Sequence, residues 1–176
     1  MRVLELGCGP RKREGAIGVD MNPRSAADVI CDLNRFPYPF REGAFDLLIC
    51  DHILEHLDNL IGVMEEIYRI GRDGAKVVVR VPHFSSVHFY EDPTHKRPFA
   101  THSFDYFIEG TKVRGFNYSD ARFKLLRVEF PPPDGAGFLK RAVFWLINRH
   151  IDFYEKRLAF VLPRHLLYFE LEIVKR

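Results

Sequence analysis

Only seven residues, Pro10 to Ala16, separate the glycine turn Gly7-Cys8-Gly9 from the next apolar run at Ile17. That gap constrains the fold more than any other feature of the chain. Val3, Leu4 and Leu6 give the first run strand character, and Gly7 and Gly9 end it. A crossover helix does not fit a link broken by Pro10 and Gly15. An extended connector does fit. At about 3.3 Å per residue seven residues reach roughly 23 Å, and a five-residue strand needs about 17 Å of return. Ile17-Gly18-Val19 can therefore lie parallel to the first run. Met21 to Ala27 is an equally trimmed link to Val29-Ile30-Cys31, and the strand Phe45 to Cys50 follows. These runs end at Gly7, Asp20, Asp32 and Asp51. In a parallel sheet all four ends lie along one edge, where open α/β sheets hold ligands. The expectation is an economical α/β sheet with one flank thinly covered.

The remaining elements extend that sheet. Asp58 is the expected cap of a helix to about Ile70, with Leu60, Ile61, Met64, Ile67 and Tyr68 at helical spacing. Gly71 and Gly74 end it. Ala75 to Val81 reads as a strand buried on both faces, stopped by Pro82. A short helix is expected over Ser103 to Glu109. Phe123 to Phe130 and Leu166 to Val174 read as two further strands. Between them Phe138 to Leu162 is helix-like, but its apolar positions spread too widely for one stripe. Two helices or a broken one are predicted there. Prolines forbid regular structure in Leu33 to Phe40, whose aromatics either pack over a flat ligand or plug the sheet edge. The whole, 1–176, reads as one domain, with a lid insertion over about 83–120 and a helical insertion over about 131–164.

Charge and cysteine content exclude some classes. A net charge of +2, from 26 Lys and Arg against 24 Asp and Glu, gives no strong field for nucleic acid. No uncharged run is long enough to span a membrane, and no signal peptide is evident. Cys8, Cys31 and Cys50 lack C-x-x-C spacing, which points to reduced thiols and a cytoplasmic protein. Lys12 stands where a dinucleotide fingerprint needs its third glycine, so a nucleotide-dependent oxidoreductase is disfavoured.

Val3-Leu-Glu-Leu-Gly-Cys-Gly-Pro10, Ile17-Gly-Val-Asp20, Asp32-Leu33, Phe36-Pro-Tyr-Pro-Phe40, Phe45-Asp-Leu-Leu-Ile49 and His52-Ile-Leu-Glu-His56 resemble the class I S-adenosylmethionine-dependent methyltransferases, in particular a small bacterial and archaeal subgroup. Arg80-Val-Pro-His-Phe84 and Asp92-Pro-Thr-His-Lys-Arg97 resemble that subgroup too. The resemblance implies a trimmed Rossmann-like sheet, mostly parallel with an antiparallel C-terminal strand, and S-adenosylmethionine as cofactor. It places Glu5, Gly7, Cys8 and Gly9 around the methionine end, with Glu5 offsetting positive charge. Asp20, with Met21 beside it, would take the ribose hydroxyls. Asp32 and the Leu33 amide would bind adenine. Cys50, Asp51 and His52 would line the methyl-donor side. The first helix of the wider family is missing here.

Methyl transfer needs alignment more than acid or base, but a hydroxyl acceptor benefits from a base. His56 is the first candidate, with His52 four residues before it. The segment after Pro82 holds His83, His88, Asp92, His95 and His102. It reads as a substrate lid, with His83 and His95 as further catalytic candidates. Spacing within it is not that of a metal site, so no metal is assigned. The acceptor is expected to be a small molecule, a glycan or a lipid-linked intermediate. A module that binds the cofactor without catalysis is the alternative. Phe138 to Leu162 carries Lys140, Arg141, Arg149, Lys156 and Arg157 among its aromatics, with Phe144 and Trp145 expected outward. Peripheral membrane contact or a homodimer is expected there.

Overall fold

In the computed structural model, which describes residues 1–175, the opening apolar run forms β1 (Val3–Leu6), an inner strand of a seven-stranded sheet. The others are β2 (Ala16–Asp20), β3 (Val29–Ile30), β4 (Phe45–Asp51), β5 (Gly71–Pro82), β6 (Phe123–Glu129) and β7 (Leu166–Ile173). Their order is β3-β2-β1-β4-β5-β7-β6. The first five strands pair in parallel, and β7 lies antiparallel between β5 and β6. The carboxyl ends of β1 to β4 thus share one edge, as the acidic run ends imply.

The trimmed connector Pro10 to Gly15 carries neither helix nor strand. It is held by Lys12, whose Nζ lies 2.6 Å from Asp28 Oδ2, while the Gly18 amide donates to the same oxygen at 2.8 Å. Ile17 and Ile30 stay exposed on the strands beside it, which is the thinly covered flank.

Helix α1 (Leu60–Ile70) crosses between β4 and β5. Its cap is Asn59, not Asp58. Asn59 Oδ1 accepts the Gly62 amide at 3.0 Å, whereas the Asp58 carboxylate is drawn away to Lys96 Nζ at 2.5 Å. Val63, Met64, Ile67 and Ile70 are buried against the sheet. β5 begins at Gly71 instead of Ala75, because Gly71 takes an extended conformation and pairs with Phe45 directly after the helix. The register with β4 then shifts before Leu47. In the loop before β4, Tyr38 is buried and its hydroxyl donates to the Leu33 carbonyl at 2.9 Å. Arg69 donates to the carbonyls of Tyr38 and Phe40. That ring plugs the sheet edge beneath Leu33.

The segment after β5 holds α2 (Val87–Glu91) and two single 3-10 turns, Asp105–Phe107 and Val113–Phe116. The helix expected over Ser103 to Glu109 is reduced to the first of these turns. Much of this segment is core. Phe99, Phe104, Phe107 and Ile108 are buried, and Phe104 packs edge-on to Phe169 of β7 at 4.8 Å.

The second insertion forms α3 (Phe138–Arg149) and α4 (Ile151–Arg157), broken at the non-helical His150. This matches the first of the two expected forms, two helices or a broken one. Phe144, expected outward with Trp145, instead faces inward at 7% exposure, with the Arg164 guanidinium 4.6 Å over its ring. Trp145 is the outward one, at 66%.

Candidate active site

Two clefts open along the carboxyl edge of the sheet. The first, of about 570 Å3, is lined by Gly7, Asp20, Met21, Asp32, Leu33, Asn34, Ile53, His56 and Leu57, and closed by Pro93, Thr94 and Lys96. It gathers residues from the ends of β1, β2 and β3 because parallel strands deliver them to one edge. Gly7 sits at φ 68°, and a Cβ there would stand 2.6 Å from the Ile53 side chain. Only glycine tolerates both the left-handed backbone and that approach.

Both Asp20 oxygens are engaged, Oδ2 by the Gly9 amide at 2.9 Å and Oδ1 by the Asn22 amide at 2.8 Å. Asp32 Oδ1 accepts the Asn34 amide at 3.0 Å, and Arg35 lies 3.3 Å from Oδ2. These carboxylates therefore hold their own turns. Each oxygen keeps a second lone pair toward the cleft.

A charged group lies beyond Gly7. Glu5 is buried, and its Oε2 accepts the Arg13 amide at 2.7 Å. The Arg13 guanidinium reaches Glu5 Oε1 at 3.3 Å and Asp51 Oδ2 at 2.7 Å, and Arg80 meets the same Asp51 oxygen at 3.0 Å. Sequence reasoning missed Arg13 and Arg80 because nothing local sets Arg13 apart within Arg11-Lys12-Arg13, or Arg80 within its strand, from a solvated basic residue. The Cys50 side chain, at the end of the strand read as lining the donor side, is wholly buried in β4, and burial pushes its thiol far above the usual range. Cys8 is also largely buried, and desolvation raises its thiol, with Asp20 and Glu5 adding to the effect.

The four candidate histidines separate. His52, just past β4, adopts φ 52° and lies with Nδ1 3.2 Å from Glu55 Oε1. That hydrogen bond raises its pKa against an opposing desolvation. His56, on the wall of the first cleft, and His95 come together with ring centroids 4.6 Å apart. His83 does not belong with them. It is wholly buried between Phe84 and Phe130, with Nδ1 2.8 Å from Ser85 Oγ and Nε2 3.1 Å from Glu155 Oε1. Both ring nitrogens are spent inside the protein, which leaves it no route to an acceptor.

The second cleft, about 610 Å3, begins at Asp51, His52 and Arg80 and extends under the helical insertion. Lys140, Arg164, His88 and His165 line it, with Asp134 as the opposing charge and Phe144 and Pro131 to Pro133 as apolar wall. Arg164 Nε is buried with no hydrogen-bond partner among the described residues.

Residues 4–79 match the family model described as a methyltransferase domain. The chain as a whole has the class I S-adenosylmethionine-dependent methyltransferase fold. It superposes on a SAM-dependent methyltransferase from Archaeoglobus fulgidus with a TM-score of 0.58 at 20% identity, covering 97% of this chain and 85% of that one. YcgJ from Bacillus subtilis gives 0.61 at 14%, covering 99% and 92%. The cyclase SpnF gives 0.61 at 13%, covering 99% and 76%. At such identities the likeness is one of fold. No curated protein matches the chain. S-adenosylmethionine is the cofactor of that Archaeoglobus fulgidus methyltransferase. The first cleft suits it chemically. Carboxylates stand at the ends of β2 and β3 for ribose and adenine, and Leu33, Ile53 and Leu57 offer apolar walls for a flat base; Glu5, Arg13 and Asp51, beyond Gly7 and outside the cleft's lining, pair both signs of charge.

Proposed function

We propose that this chain transfers the methyl group of S-adenosylmethionine to an acceptor that carries an anionic group and occupies the basic cleft. The observation that carries the reading is the junction of the two clefts. His52, which lines the basic cleft, and Ile53, which lines the cofactor-type one, are consecutive residues just past β4, so donor and acceptor would meet there. The cofactor supplies an electrophilic methyl on a sulfonium, which leaves as a neutral thioether.

The residues of this chain do the rest. Asp20, with Met21 beside it, would orient the ribose, and Asp32 and the Leu33 amide the adenine. Gly7, Cys8 and Gly9 would approach the ligand through their backbone. Glu5 and Asp51 would face the ammonium and Arg13 the carboxylate of the methionine end. Asp51 in turn holds Arg80 at the mouth of the acceptor cleft. Arg164 and Lys140 would pair an acceptor phosphate or carboxylate. His52 is better placed than His56 to take the proton of a hydroxyl or amine acceptor. Its Nδ1 faces Glu55, which leaves Nε2 for the cleft.

The acceptor class is an anionic small molecule, glycan or lipid-linked intermediate. The apolar surface beside the cleft, from Phe138 to Leu162, favours the lipid-linked member and reversible contact with a membrane. The test is methyl transfer to candidate acceptors, read by mass spectrometry. Arg164→Ala should raise KM more than it lowers kcat. His52→Ala should lower kcat and leave S-adenosylhomocysteine affinity unchanged. A cyclase sharing the fold favours a second reading, a domain that binds the cofactor without turning it over. Tight S-adenosylhomocysteine binding with no product from any acceptor would support that reading.

A further inference from the structure

Glu55 lies in a single 3-10 turn (Leu54–His56) after β4 and is wholly buried. Its Oε2 has no hydrogen-bond partner among the described residues. An ionised carboxylate in that position is costly unless a cation or a donor completes it. Two imidazoles stand beside it. One donor atom from each of Glu55, His56 and His95 lies within 4.8 Å of the others.

Proton positions follow from the partners of the rings. Thr94 Oγ1 gives its only proton to Asp92 Oδ1 at 2.6 Å. It therefore accepts its 2.8 Å bond from His56 Nδ1. His95 Nδ1 lies 2.9 Å from the Phe89 carbonyl, which can only accept. Both rings thus carry a proton on Nδ1, and as neutral imidazoles they present Nε2 lone pairs. His95 Nε2 is 4.0 Å from Glu55 Oε1 and 3.9 Å from Asp92 Oδ2. Lone pairs gather there with no proton between them. A carbonyl behind one imidazole and a hydroxyl-to-carboxylate relay behind the other are the outer partners that orient metal-bound histidines.

We propose that Glu55, His56 and His95 bind a divalent transition-metal ion of the zinc class, with Asp92 Oδ2 in reach of a fourth position. Two imidazole nitrogens and carboxylate oxygens suit that ion, with bonds of about 2.0–2.2 Å. Donors on a tetrahedral ion of that size stand about 3.4 Å apart. The group would therefore draw in by about an ångström. His95 and Asp92 lie in the loop after α2, where such a movement costs little. The ion would tie residues 92–97 to the turn after β4. It would thereby brace the wall that Pro93, Thr94 and Lys96 give to the first cleft. The site does not depend on methyl transfer.

The test is calorimetric titration of the full, chelator-treated chain with Zn2+ alone, with zinc content after dialysis read by elemental analysis. One zinc per chain and a rise in Tm are expected. Glu55→Gln and His95→Ala should each weaken binding by about a hundredfold or more, beyond the loss of an outer partner. Thr94→Val should cost about ten- to a hundredfold as such a partner. His102→Ala, outside the group, should change nothing. Far-UV circular dichroism checks each variant, and Thr94→Val keeps the test open if a ligand variant fails to fold. Absence of stoichiometric zinc in the wild type overturns the proposal, as does binding that survives both Glu55→Gln and His95→Ala. S-adenosylhomocysteine titrated into the same metal-free samples separates failure of this site from failure of the cofactor cleft.

Discussion

Asp20 illustrates how a turn and a binding site use one side chain. Its oxygens already accept the Gly9 and Asn22 amides at 2.9 and 2.8 Å. Those bonds aim the carboxylate at the cleft and leave a lone pair on each oxygen for a ribose diol. Replacement by alanine removes charge-assisted hydrogen bonds worth about 1.5–3 kcal/mol. Asp20→Ala is therefore expected to weaken S-adenosylmethionine binding at least about tenfold while the sheet stays folded. Calorimetry with a circular dichroism control measures it, and unchanged affinity in a folded variant removes Asp20 from the cofactor site. The same logic explains why turn capping and ligand binding were indistinguishable in the sequence. Both want an acidic residue just after a strand.

At the scale of elements, the contact between α4 and the end of β5 runs through one carboxylate. Glu155 Oε1 meets His83 Nε2 at 3.1 Å and the Thr101 amide at 2.7 Å, and Oε2 accepts the Thr101 hydroxyl at 2.6 Å. Desolvation acts to raise the Glu155 pKa, but the bonds from His83 and Thr101 outweigh it, and the net shift is downward. A carboxyl held below its unfolded value stabilises the protein fully above the ordinary glutamate range, near 4.3. That stabilisation is lost as pH falls through the depressed folded value. Glu155→Gln should cost about 1.5–3 kcal/mol at pH 7, from bonds made to a charged acceptor. It should also flatten the acid side of the Tm-against-pH curve. A variant that melts like the wild type from pH 7 down to pH 3 would show that these bonds contribute nothing. The histidine read as a catalytic candidate is thus the buried partner in this clasp.

Across the whole molecule, apolar side chains are unevenly exposed. Phe138, Leu139, Trp145, Leu146, Phe153, Phe160, Val161 and Leu162 are all exposed within one insertion. Lys140, Arg141, Arg149, Lys156 and Arg157 are exposed among them. No helix among the described residues is long and apolar enough to cross a membrane. Basic groups around apolar side chains match an anionic bilayer surface, and the insertion that carries them also walls the basic cleft. Trp145→Ser with Phe153→Ser should reduce retention on vesicles containing phosphatidylserine several-fold and leave S-adenosylhomocysteine binding intact. Both side chains are exposed, so the fold should survive. Unchanged retention discards the membrane reading, and a loss of dimer mass in solution assigns the surface to a second copy of the chain.

The sequence by itself determined the sheet, its parallel half and the edge where ligands collect. Short connectors, glycine turns and strand-end carboxylates are local, and local patterns can be read without a structure. It also implied the break in the helical insertion, because one helix cannot bury a stripe that broad. Only the tertiary structure decided which side chains face which way. Phe144 and Trp145 are neighbours in sequence, yet one is packed beneath Arg164 and the other is exposed, since a helix turns them to different sides. Cap choice between Asp58 and Asn59 depended on Lys96, far along the chain. His56 and His95 show no ligand spacing because they meet only when the loop after α2 folds back onto the turn after β4. Arg13 reaches Glu5 and Asp51 only once the connector closes over the sheet edge. Periodicity reports one element's own faces; which residues from distant elements meet is set by packing.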